Sequence, residues 1–122
     1  MSGTTSGIEF SSLGEDTHMH IFRGKTISFE VIWGGDSPID VTGYEALLQI
    51  RDLKGVLMLE MSSINGKISV GGADGKFIIT GSDVDSRAIR SVGHWELELT
   101  SPGGEVFRAM SGSVTPIMEV SQ

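Results

Sequence analysis

Apolar and polar residues alternate over most of this chain. In Thr26–Trp33, residues Ile27, Phe29, Val31 and Trp33 hold every second position, with Ser28 and Glu30 between them. Tyr44, Ala46, Leu48 and Ile50 repeat the rhythm against Glu45, Gln49 and Arg51. Successive strand side chains point to opposite faces, so each run puts its large apolar groups on one face. Gly34-Gly35-Asp36-Ser37-Pro38 separates the two runs with turn-forming residues. This pair of strands is the expected centre of a β-domain.

Further strands follow from the same pattern. Ile8-Glu9-Phe10 is a short first strand, and Ser11–Asp16 a loop. Thr17–Phe22 alternates Met19 and Ile21 against His18 and His20, and Arg23-Gly24-Lys25 is expected to turn it back as an antiparallel hairpin with Thr26–Trp33. Leu53-Lys54-Gly55 leads into Val56–Met61, apolar except for Glu60. Asn65-Gly66 is the strongest hairpin signal in the chain, because both residues tolerate positive φ. Lys67–Val70 and Lys76–Thr80 flank a Gly-rich loop, Gly71–Gly75. His94–Thr100 sets Trp95, Leu97 and Leu99 against His94, Glu96, Glu98 and Thr100. Ser101-Pro102-Gly103-Gly104 then turns the chain into Glu105–Met110, and Ser113–Val120 ends it, with Pro116 marking an edge or a bulge.

One segment has helical character. Ser82 caps Ser82–Ser91, with Asp85 at the third position as in a capping box. Asp83 and Asp85 suit its N-terminus, Arg87 and Arg90 its C-terminus, and Gly93 the place of a C-terminal cap. About eight or nine short strands, regular turns and one short helix specify an all-β sandwich or barrel. Met1–Gly7, small and polar, forms an N-terminal tail, and residues 8–122 form a single domain.

Composition narrows the function. Nine basic residues face sixteen acidic ones, a net charge of −7. Nucleic-acid binding and anionic membrane surfaces both call for a basic stripe, so neither is an expected partner. There is no cysteine, no basic-then-apolar leader at the start, and no run near the ~20 apolar residues of a membrane helix.

Candidate chemistry is sparse. His18 and His20 share a strand face and could begin a metal site, but the cupin-type Glu and third His are missing, so no metal ligands are assigned. Ser111-Gly112-Ser113 is a kink in a terminal strand, since no Gly-x-Ser-x-Gly elbow is present. Asp36, Asp40, Asp74, Asp83 and Asp85 serve turns and caps rather than a calcium loop. Gly71–Lys76 lacks the Gly-Lys-Ser/Thr ending of a phosphate loop. No catalytic or cofactor-binding residues are assigned, and the protein is expected not to be an enzyme. Trp33, Tyr44 and Trp95 fall on apolar faces and belong to the core; an exposed Trp33 or Trp95 would instead favour a carbohydrate-binding module. Val56, Leu57, Met58 and Leu59 put apolar groups on both faces of one strand and form the candidate interface.

Several pieces occur in a suggestive order. Arg23-Gly24-Lys25-Thr26 opens a strand ending in Trp33, and Asp40–Tyr44 leads into one ending Gln49-Ile50-Arg51. Gly93-His94-Trp95 starts a strand through Leu99, and Gly103-Gly104 precedes Val106-Phe107-Arg108 and Gly112-Ser113-Val114-Thr115. Over residues 17–120 this order resembles small β-sandwich structural proteins of tailed bacteriophages and prophages, among them the N-terminal domain of baseplate upper proteins and related tail or neck proteins. Lys25 and His94 stand where that family often has an acid and a tyrosine. The resemblance implies an immunoglobulin-like antiparallel sandwich and a non-enzymatic role as an adaptor or decoration subunit. It also implies a location in the virion after synthesis in the host cytoplasm, and contacts with copies of itself and with neighbouring virion proteins.

Overall fold

The computed structural model describes residues 7–13 and 16–118. Its elements are β1 (Ile8–Leu13), β2 (Asp16–Phe22), β3 (Ile27–Ile32), β4 (Glu45–Asp52), β5 (Leu57–Ser62), β6 (Ile68–Val70), β7 (Lys76–Gly81), α1 (Asp83–Arg87), β8 (Gly93–Thr100) and β9 (Val106–Ile117). Six strands form one sheet in the order β1-β2-β9-β8-β4-β5, and three form a second in the order β3-β7-β6. The fold is an all-β sandwich. Strands β3, β7 and β6 take the places of B, E and D, and β9, β8, β4 and β5 those of G, F, C and C′, in an immunoglobulin-like arrangement. All pairs are antiparallel except β2 with β9, which run parallel.

The alternating pattern explains the core. Ile27, Phe29 and Val31 of β3 and Phe77 and Ile79 of β7 face Ala46, Leu48 and Ile50 of β4 and Trp95, Leu97 and Leu99 of β8, and all are buried in one cluster. Burying each such large side chain contributes roughly 1.5–3 kcal/mol. The helix is shorter than its pattern, ending at an Ala88 C-cap, but its capping box is formed as expected: Ser82 Oγ accepts from the Asp85 amide, and the Asp85 carboxylate accepts from the Ser82 amide.

Two expected hairpins are corrected. β2 and β3 lie in different sheets, because β1 and β9 already occupy both edges of β2. The Arg23–Lys25 turn instead carries the chain across the sandwich, and the Gly24 amide donates to Ser86 Oγ at 2.9 Å. The Asn65-Gly66 turn likewise joins strands of different sheets. Gly66 does adopt φ +82°. Asn65 Oδ1 accepts from the Ser62 and Lys67 amides, and the Lys67 amide also reaches the Ser62 carbonyl at 3.1 Å, so the turn closes locally while the chain passes on to the other sheet.

Boundaries shift elsewhere. Ser11–Leu13 extends β1 and Asp16 opens β2, where a loop was expected. Gly93 opens β8 rather than capping α1, and a Cβ there would lie 1.9 Å from the Arg51 carbonyl oxygen. The two expected C-terminal strands are one, β9, with a register shift opposite Leu97/Glu98. Pro116 sits beyond the last β8 partner of β9, where a missing N–H costs no ladder bond to β8. Residues 1–6 of the expected tail and Glu119–Val120 of the expected last strand fall outside the described residues.

Candidate functional site

The outward-facing positions of the large sheet gather polar groups by register. Arg51 of β4 lies opposite His94 of β8, and His94 opposite Ser113 of β9. One strand further, His18 of β2 hydrogen-bonds through Nδ1 to Ser113 Oγ and through Nε2 to Thr115 Oγ1 at 2.9 Å. The neighbouring row places Gln49 opposite Glu96, and Glu96 opposite Ser111. Adjacent strands lie ~4.8 Å apart, so each row brings its side chains side by side.

These rows surround a concavity of about 480 Å³ lined by Arg51, His94, Glu96, Arg108, Ser111 and Ser113, with further polar walls from His18 and Gln49. Arg108 Nε and Glu96 Oε2 are 2.7 Å apart. Arg51 donates to the Gly55 carbonyl at 3.0 Å and to Gln49 Oε1 at 3.3 Å, while Gln49 Nε2 donates to Glu60 Oε1 at 2.8 Å. Gly112 forms part of the wall. A Cβ at Gly112 would fall 1.8 Å from the Thr17 carbonyl oxygen, so only glycine lets β2 approach β9 this closely. The same carbonyl accepts from the Trp95 indole at 3.0 Å.

His18 and His20 meet edge to face, with ring centroids 4.5 Å apart. Among the described residues, no group of three or more His, Cys, Asp or Glu is placed to hold a metal ion. Ser111-Gly112-Ser113 lies within β9. Trp95 is 2% exposed and offers no stacking face. Trp33 and Tyr44 are half-buried against the core, and Trp33 packs on Phe107 with centroids 6.2 Å apart.

The aspartates act locally. Asp40 accepts from the Thr42 hydroxyl and amide, which hold its carboxyl below the ordinary carboxylate range. Asp74 is lowered likewise by the Gly72 and Lys76 amides. Burial pushes Asp85 up, but the Lys67 hydrogen bond, the Ser82 amide and the Lys67 charge outweigh it, so its pKa is lowered.

The expected interface residues divide. Val56 and Leu57 are 54% and 41% exposed, Met58 is half-buried, and Leu59 turns into the core. They lie on or beside β5, an edge strand of the large sheet, with exposed Leu53 on the preceding turn. The sequence did not single out Arg51, His94, Glu96 and Arg108 as a set. Their signal was present as the polar half of each alternation, but only register brings four strands together. No helix among the described residues is long and apolar enough to cross a membrane. No protein-family model and no curated protein matches the chain.

Proposed function

We propose that this chain is a non-enzymatic structural subunit of a tailed-phage or prophage virion, an adaptor or decoration protein of the tail, baseplate or neck. On this reading it works through contacts with copies of itself and with neighbouring virion proteins. The observation that carries the reading is the β5 edge. An edge strand is a template for another chain, and soluble proteins normally blunt such edges with charge. Here the edge begins with Val56 and Leu57, and Leu53 extends the apolar surface along the turn. The immunoglobulin-like strand order agrees with the fold that the resemblance implies.

Native mass measurement tests the assembly, and mass spectrometry of purified particles tests the location. The expected results are an oligomer that Leu57→Asp dissociates and a chain recovered in particles. A strict monomer absent from particles would reject the proposal.

A further inference from the structure

The geometry points to a second site, separate from the β5 edge and independent of any assembly role: the concavity on the outer face of the large sheet binds a small ligand through a carboxylate or phosphate group. The lining is rich in donors. A guanidinium carries five N–H donors, and a carboxylate or phosphate matches two of them side by side. Arg51 commits one donor to Gly55 and one, at 3.3 Å, to Gln49. Arg108 meets Glu96 through Nε, and the rest of its guanidinium is largely exposed. His94 is exposed between Arg51 and Ser113, and Ser111 adds a hydroxyl.

Charge around the site is mixed. The chain as a whole carries −7, yet two guanidiniums line this concavity against one carboxylate. That carboxylate, Glu96, is already neutralised by Arg108. Glu60, which accepts from Gln49, and Glu98, opposite Arg108, stand beside the concavity, so recognition of an anion there rests on converging donors and not on net charge. Its volume of about 480 Å³ falls within the range of small-molecule sites. The donors are mounted on strands rather than loops, which fixes the spacing of their backbone positions before a ligand arrives. His18 has both ring nitrogens engaged by Ser113 and Thr115, so it shapes the wall and leaves ligand binding to its neighbours.

Amide chemical-shift titration of the full chain tests this, with glucuronate, glucose 6-phosphate and glucose as probes. Saturable shifts at Gln49, His94, Ser111 and the Trp95 indole are expected with one or both anions, and none with glucose. A response to glucuronate alone identifies the carboxylate as the recognised group, and a response to glucose 6-phosphate alone identifies the phosphate. Arg51→Ala should weaken the response about tenfold, the size of one lost charge-assisted hydrogen-bonding group. His94→Ala serves the same comparison should Arg51→Ala not fold, which its own spectrum reveals. No saturable shift with either anion, an equal shift with glucose, or an unchanged affinity in the folded variant would overturn the assignment.

Discussion

Strand β8 sends Trp95, Leu97 and Leu99 to one side and His94, Glu96 and Glu98 to the other. The inner side is buried against β3 and β7; the outer side has no second layer packed on it among the described residues. Inside, what matters is volume, because close packing leaves no slack for a change of shape. Outside, what matters is which strands stand next to each other, since that decides which donors converge. One eight-residue strand thus specifies the fold with half of its residues and a surface of particular chemistry with the other half.

If this division holds, substitutions on the two faces differ in size and in kind. Trp95→Ala should be the most damaging, costing about 3–5 kcal/mol in urea unfolding, because it leaves a large cavity and orphans the Thr17 carbonyl. Gly112→Ala comes next, at about 1–3 kcal/mol, because the new methyl meets the Thr17 backbone, which cannot move aside without loosening β2 from β9.

Asp85 sharpens the comparison, being a charged group that is nonetheless structural. It joins the cap of α1 to Lys67, with Nζ and Oδ2 2.6 Å apart. Asp85→Asn should cost about 1 kcal/mol at neutral pH, limited by the partial solvation of Lys67. The folded-state pKa of Asp85 is lowered, so its contribution is present above the ordinary carboxylate pKa and is lost as pH falls through the folded value. Unfolding curves of wild type and variant should converge on the acid side; a constant gap down to the lowest pH would contradict this. The smallest effect belongs to the outer face. His94→Ala should leave stability within ~0.5 kcal/mol of wild type by thermal melting. A larger loss would mean that the outer face also holds the fold together.

The sequence made the strands legible, because a period of two survives without knowing the partners. Ile27, Phe29 and Val31, or Trp95, Leu97 and Leu99, declare their own inward face. It did not say which sheet each strand joins. Gly24 and Gly66 both take positive φ, as their turns required, but the same backbone bend serves a hairpin or a crossing between layers. The choice was made at a distance, by β1 and β9 taking both edges of β2 and by Asn65 binding Ser62 and Lys67. The donor-lined concavity was hidden for the same reason. Arg51, His94, Ser113 and His18 lie far apart in the chain and become neighbours only through pairings that local pattern does not encode.

The parallel pairing of β2 with β9 has a consequence for how this unit connects to anything else. The Phe22 amide donates to the Gly7 carbonyl and the Arg23 amide to the Ile117 carbonyl, both at 3.0 Å, so two consecutive peptides anchor both extremities of the described fold at one corner. The turn that carries Leu53 projects from the same end of the sheet, because Asp52 aligns with Gly93 and Gly93 with Val114. Polypeptide spliced on at either extremity therefore enters and leaves by a shared doorway, and the unit can be set into a longer chain as a cassette without threading anything through its interior.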